Sequence, residues 1–363
     1  VVHPKLFYYS PKYSISVLTD MNNIGELPFT TRDYWNFSGG FRGGTQSNTG
    51  TQFTTRGGGL GLSLVQNNRA KEITARFGAV NFSYKPSEAW RLSGFGIYSY
   101  SNTLLETIAN RQFISSGQSE QTTTTADQRS RLGLVKFNSS YKPSASFQWE
   151  YDVLLRLSNE NEDTNTLSVS DVTDEIQEVQ DQQPSTLTQT SNIYFTPHSK
   201  HIFAVEIESE MGDEDPFYEA IREQQPFFGT IPFDSGQSNF DINQSQRVKT
   251  NRIDAKLDYF WLTGDKSNLN LTLGTTQSTQ DFDSRIFQIL DDGGQLDFDE
   301  SALGNDVRFD FSDLFAGLHI KLIAGKFTIN PGFFVHQYKA TNRQLGTSVT
   351  DELTNVVPDL FIN

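Results

Sequence analysis

Three segments of this chain place every charge on one face of a strand. In FQWEYDVLLRL, Phe147, Trp149, Tyr151, Val153, Leu155 and Leu157 alternate with Gln148, Glu150, Asp152 and Arg156, and Leu154 is the one apolar exception. FAVEIESE sets Phe203, Val205 and Ile207 against Glu206, Glu208 and Glu210. IDAKLDYFW sets Ile253, Ala255, Leu257, Tyr259 and Trp261 against Asp254, Lys256 and Asp258. Apolar residues at a period of two specify extended chain rather than helix. Each such strand has a dry face and a wet face. A soluble sheet and a membrane barrel both answer that description, so other features must choose between them.

Mean hydropathy is −0.49, and only 36% of the 363 residues are hydrophobic, yet aromatics reach 13%, with 29 Phe and 13 Tyr. Disordered chains are depleted in aromatics, so the polar average points to a folded structure with a thin apolar face. The net charge of −15 argues against nucleic acid as a partner, because binding it needs a basic stripe that releases phosphate counterions. With no cysteine, the chain has no disulfide, thiolate ligand or thiol nucleophile. No run of about 20 apolar residues is present to form a membrane-spanning helix. Val1 opens the sequence without methionine or a signal-type segment, which reads as a mature or partial chain.

Tight turns are expected at Pro86, Pro143 and Pro197 and around Gly264 and Gly325, separated by 57, 54, 67 and 61 residues. Between them run polar stretches such as SSGQSEQTTTTADQ, NENEDTNTLSVSDVTDEIQEVQDQQPST, GDEDPFYEAIREQQPFFGTIPFDSGQSNFD and LDDGGQLDFDESALGND. These read as loops of roughly 15 to 35 residues, long for a compact soluble domain. The pattern predicts strands over 7–17, 72–85, 90–105, 126–142, 147–158, 186–196, 201–211, 247–261, 267–281, 307–322 and 327–341, with another starting near Val356. A short helix over 32–37 and Gly-rich turns are expected within 25–70.

Three features favour a transmembrane β-barrel. Many predicted strands have eleven or more residues, whereas soluble strands average about 5 to 6 and a tilted strand crosses the hydrocarbon layer in about 9 to 11. Aromatics gather at the tight-turn ends, where Tyr84, Trp90, Tyr141, Trp149, Phe195 and Trp261 would form an interfacial girdle. Short turns at one end and long loops at the other match the periplasmic and extracellular sides of an outer-membrane barrel. The charged face is then the lumen, lined by Glu150, Asp152, Arg156, Glu206, Glu208, Glu210, Asp254, Lys256 and Asp258. Ser-Tyr-Lys-Pro-Ser occurs at 83–87 and again at 140–144. Each copy reads as a periplasmic corner, with proline ending the ladder, tyrosine at the interface and lysine snorkelling to headgroups.

Within ESEMGDEDPFYEA, Asp213, Glu214, Asp215, Phe217 and Tyr218 are candidates for an extracellular loop, where aromatics beside hydrogen-bonding groups suit capture of a sugar or peptide. DDGGQLDFDES at 291–301 lacks the order of an EF-hand loop and reads as solvated. His198 and His201 flank Lys200 at a turn, and His319 and His336 fall on adjacent strands; neither pair has a metal-binding pattern. RGGGLG lacks the features of a P-loop or dinucleotide turn. No nucleophile–base or paired-carboxylate arrangement stands out, so no catalytic residue, metal or cofactor is expected.

KEITARFGAVNFSYKPSEAWRLSGFGIYSYSNT and the opening HPKLFYYSPKYSISVLTDMNNIGELPFTTRDYWNFSGG resemble barrel strands of TonB-dependent outer-membrane receptors of the Bacteroidetes type. The resemblance runs along the whole chain and rests on strand-and-turn texture. It implies a bacterial outer-membrane location, a 22-stranded barrel around an N-terminal plug, and nutrient import driven through TonB. Residues 1–363 would be a portion of that barrel, since plug, TonB-contacting segment and a final aromatic-ended strand find no match. The implied partners are the lipid bilayer, the TonB complex through the plug, and a surface lipoprotein or larger outer-membrane complex. Two alternatives stay open: a self-contained porin-like or fatty-acid-type channel of 12 to 14 strands, and a soluble or surface β-rich binding protein.

Overall fold

The computed structural model describes residues 1–24, 70–115, 117–227, 229–298 and 303–362. They form sixteen strands in one antiparallel sheet and no helix. The strands are β1 (Lys5–Tyr9), β2 (Tyr13–Asn22), β3 (Ala70–Ser87), β4 (Trp90–Gln112), β5 (Ser119–Ser144), β6 (Phe147–Val169), β7 (Thr173–Gln182) and β8 (Ser185–His198). They continue as β9 (His201–Glu214), β10 (Phe217–Arg222), β11 (Phe240–Gly264), β12 (Ser267–Ile289), β13 (Gln295–Asp297), β14 (Asn305–Ala324), β15 (Phe327–Gln344) and β16 (Thr347–Ile362). The expected all-β antiparallel class is observed.

Two interruptions make the topology simpler than the strand count suggests. β7 and β8 both pair with β6, at its two ends, and β9 and β10 both pair with β11. Each pair is one line of chain broken at a proline, Pro184 in the first and Pro216 in the second. Proline has no N–H for the ladder, and the breaks lie side by side so that they satisfy one another. The Pro184 carbonyl accepts from Ser158 N, and the Pro216 carbonyl accepts from Gln246 N, both at 2.9 Å. Across the gap, Gln183 N donates to Asp215 Oδ1 at 2.9 Å. The sheet is therefore a meander thirteen strands wide, from β1 to β16, with β13 a short addition to β12.

The predicted tight turns are present. Two-residue turns follow Ser87, Ser144, His198, Gly264 and Ala324. Both Ser-Tyr-Lys-Pro-Ser copies close a strand at that end. Three expectations are corrected. The single strand over 7–17 is a hairpin, β1 and β2, because Pro11 fixes the backbone in a turn closed by Ser10 N to Tyr13 O at 2.8 Å. The last strand begins at Thr347 rather than near Val356, after a two-residue turn in which Leu345 and Gly346 have φ of 47° and 81°. Most of the supposed long loops are strand. β4, β5, β6, β11 and β12 run 23, 26, 23, 25 and 23 residues, and connections as short as 113–118 and 170–172 join them. Ser, Thr, Gln and Asn on both faces keep the ladder going through side-chain pairs such as Thr124 with Thr166 at 3.0 Å and Gln182 with Glu160 at 2.6 Å. The helix expected at 32–37 and the Gly-rich turns lie outside the described residues.

One apolar row crosses ten strands: Trp90, Tyr141, Trp149, Ile193, Val205, Leu257, Leu273, Ala316, Val335 and Val356 stand opposite one another in turn. Its face stays open, with Val135, Leu157, Leu273 and Leu314 about half exposed. Side chains on the other face crowd together, and Leu134, Thr272 and Asp313 are fully buried. That asymmetry makes the apolar face convex and the other concave. Contacts between elements run between ladder neighbours, so among the described residues no second sheet covers the convex face.

Candidate functional site: the concave face and its cap

The concave face carries an ion-pair ladder on β9, β11 and β12. Lys256 Nζ sits 3.1 Å from both Glu206 Oε2 and Asp258 Oδ2. Arg252 lies 3.1 Å from Glu208 and 2.9 Å from Asp254. On β12, Thr272 donates to Asp258 at 2.5 Å and Thr276 to Asp254 at 2.6 Å. Register explains the arrangement: Asp254 faces Glu208, Lys256 faces Glu206, and Thr272 and Thr276 face Asp258 and Asp254. Two cations between four carboxylates offset much of the acidic charge. A wet wall results whose acidic charge is half offset at the ladder and stays net negative, in place of a uniformly anionic one.

Beyond the ladder the same face becomes aromatic and imidazole-rich. His336 Nδ1 approaches the buried Asp313 carboxylate at 3.0 Å, and His319 Nε2 approaches Asp359 Oδ2 at 3.0 Å. Phe315 and Phe334 lie over Gly274 and Gly317 on the preceding strands, where a Cβ would fall 2.3 and 2.2 Å from the ring. On β2 to β5 this face is apolar instead, with Phe77, Ala79, Phe95, Ile97, Leu132 and Leu134 packed together against Leu18.

At the loop end a small core folds onto the concave face. Ile231 and Phe298 are buried with Ala220 and Ile242, and Phe233, Tyr218, Ile286, Leu296 and Leu303 pack around them. Gln288, fully buried, clamps the segment by accepting from Asp234 N at 2.9 Å and donating to the Asp234 carbonyl at 3.2 Å. Asp291 accepts from Ser238 N and Oγ at 2.9 and 2.8 Å. Beside this cap, Arg222 pairs with Asp174 at 2.5 Å, and the Tyr218 hydroxyl donates to Glu178. Burial, then that carboxylate, pushes the Tyr218 hydroxyl well above its ordinary pKa.

All nine charges read from sequence fall on the concave face, in register with one another across β6, β8, β9 and β11. Asp152 accepts from Asn138 at 3.0 Å, with Lys136 3.8 Å away, and Glu150 accepts from Gln148 at 2.7 Å. Glu210 stands opposite Arg252 and Thr188. Arg156 lies opposite Leu134 and Thr186. At the turn end, Tyr84, Trp90, Phe195 and Trp261 are exposed on the convex face. Trp90 meets Tyr141 edge-on at 6.1 Å, and Trp149 donates through Nε1 to Ser191 at 3.0 Å.

The segment taken as an extracellular loop is strand: Asp213 and Glu214 end β9, Asp215 bonds across the break, and Phe217 and Tyr218 open β10. Asp213 is held by Arg247 at 2.8 Å, a hydrogen bond that keeps its carboxyl below the usual range. Polar residues in water alternate with no dry face, so strand and loop look alike there. The sequence reading missed Arg252 and Lys136, although both have the parity of the charged face, and it missed the cap, whose members are far apart in the chain. Among the described residues no group of three His, Asp or Glu could hold a metal ion.

No family model matches the chain, and no curated protein does. The solved structures it resembles include the outer membrane protease OmpT of Escherichia coli, at 8% identity and TM-score 0.22 over 75% of this chain and 93% of that one. The siderophore receptor PiuA of Acinetobacter baumannii aligns at 8% identity and TM-score 0.27 over 80% and 65%. The ferric citrate transporter FecA in its unliganded form aligns at 7% identity and TM-score 0.29 over 99% and 60%. The chain thus spans less than two thirds of either of those two proteins.

Proposed function

We propose that this chain is part of a bacterial outer-membrane barrel that takes up a nutrient, of the TonB-dependent receptor type. One observation carries the membrane reading: a single-layer sheet exposes a continuous apolar band on its convex face. From Ile253 to Trp261, nine residues, the band runs about 30 Å along the strand, enough for a tilted strand to cross the hydrocarbon layer. A sandwich would cover that face with a second sheet; this one leaves it for lipid. Aromatics border the band at the turn end, as in an interfacial girdle.

In this reading the concave face is the lumen wall. Its ladder keeps the path hydrated, and its residual negative charge disfavours anions. The cap over β10 to β13 narrows the outer mouth, so capture falls to its surface and to the strand extensions beyond the band. Gating by a plug and coupling to TonB are carried over from the sequence resemblance.

Detergent dependence tests the membrane reading. The full-length protein is expected to stay folded and monodisperse only in detergent or lipid; a folded monomer in plain buffer would overturn it. Growth of a deletion strain on single nutrients tests transport, and normal growth on all of them would count against it.

A further inference from the structure

We propose that the convex face carries a binding site for the phosphate headgroup of a membrane lipid, formed by Arg76, Arg131, Tyr98 and Tyr100. The proposal rests on the membrane reading above. Among the described residues, seven arginines stand on the convex face on the loop side of the apolar band. Five are paired there with aspartates: Arg129 with Asp127, Arg247 with Asp213, Arg285 with Asp283, Arg308 with Asp281 and Asp310, and Arg343 with Asp310. Arg76 and Arg131 have no such carboxylate, and both are exposed.

Register places these two side by side at the edge of the band. Arg76, Tyr100, Arg131 and Asn159 form one row across β3 to β6, and Gly78, Tyr98, Gly133 and Leu157 form the next row toward the turn end. The Arg76 and Arg131 guanidinium carbons lie 5.7 and 6.0 Å from the centre of the Tyr100 ring. Cation–π contact holds each fork while leaving its N–H donors free. Together with Tyr98, 53% exposed, they line an open cleft of about 350 Å³. Two forks facing one cleft suit the oxygens of a phosphate, which accept paired N–H bonds.

The row beneath supplies room for the rest of the lipid. A Cβ on Gly78 would meet nothing within 4 Å, and one on Gly133 only the Leu157 carbonyl at 3.9 Å. Bare backbone on either side of Tyr98 leaves open space between the guanidiniums and the apolar band. An amphiphile with an anionic head and an acyl chain fits both parts at once. A free anion would use only the upper one.

The test uses full-length protein in a non-ionic detergent, with bound lipid counted by native mass spectrometry. Phosphatidylglycerol, phosphatidylcholine and inorganic phosphate are the three probes. Phosphatidylglycerol is expected to be retained about tenfold better than phosphatidylcholine and to resist displacement by inorganic phosphate, as charge-assisted hydrogen bonds plus chain burial would require. Arg76→Gln with Arg131→Gln should remove that preference, the two Arg→Lys changes should keep part of it, and Arg308→Gln should leave it intact. Because both side chains are exposed, strand content by circular dichroism should be unchanged. Equal retention by wild type and the double variant would overturn the site, and so would displacement by inorganic phosphate. Failure of the membrane reading looks different: the protein would then be folded without detergent.

Discussion

Gly274 faces Phe315 across the β12–β14 ladder, and a Cβ there would fall 2.3 Å from the ring. Gly317 and Phe334 repeat the arrangement one strand on, with the Cβ at 2.2 Å. These glycines are required by close approach of a ring rather than by an unusual backbone angle. Gly274→Ala is therefore expected to cost about 1 to 3 kcal/mol, the usual range for overpacking, in urea titrations of the folded protein. Phe315→Leu in the same chain should recover most of it; no recovery would mean that the glycine serves something other than the ring. The two faces give a second residue-level contrast on β6. Val153 on the convex face and Asp152 on the concave face are neighbours, yet Val153→Arg should cost roughly 2 to 4 kcal/mol near the midplane. Asp152→Asn keeps a partner for Asn138 and should insert normally in a vesicle-insertion assay. The reverse ranking would mean that lipid meets the other face.

At the scale of elements, the strands continue far beyond the apolar band. Thr122 to Thr125 pair with Thr166 to Ser168 and Asn165 in a regular register, so their amides should exchange with deuterium far more slowly than those of Ile114 and Ser115 in the connecting turn. Equal exchange would return this stretch to loop. The β10–β11 pair should also respond to pH. Burial raises the carboxyl pKa of Glu219 and of Asp241, and Asp241 adds to the rise at Glu219. A raised value means the folded state binds the proton more tightly, so the contribution is full below the ordinary 4.5 and 3.8 and is lost as pH rises through the folded values. Amides of Phe217 to Arg222 should gain protection as pH falls from 7 toward 4.5, and Glu219→Gln with Asp241→Asn should abolish the gain. At Asp213 the shift is downward through Arg247, so the end of β9 keeps that pair until pH falls below the usual 3.8. Where a strand had one dry face, its centre was legible from period two, as at 147–158, 201–211 and 247–261. Its outer half was not, because water on both sides removes the contrast that period two depends on. The site was legible to the same extent: residue parity identified the charged face, but not that Arg252 and Lys256 would each bridge two of its carboxylates, which depends on register.

At the scale of the molecule, strand direction limits how the sheet can close. Thirteen strands lie side by side, each antiparallel to the next, so β1 and β16 run the same way. Joining them directly would make a parallel pair in an otherwise antiparallel sheet, whereas an all-antiparallel ring takes an odd number of further strands between them. Exposed ladder edges are not tolerated in hydrocarbon, and bacterial single-chain barrels have even strand numbers. The larger-barrel reading meets both conditions; a self-contained channel closed by β1 on β16 would cover its edges but leave an odd strand number and one parallel pair. Residues 1–363 contain no cysteine, so cysteine pairs placed on these strands test the closure directly. A cysteine at Val335 paired with one at Val356, which stand opposite each other on β15 and β16, should form a disulfide in membranes of cells making the full-length protein. A cysteine at Phe7, combined in turn with one at each position from Thr354 to Val357, should give none within a monomer. Efficient oxidation of a Phe7 pair would place β1 against β16 and favour the self-contained channel over the receptor.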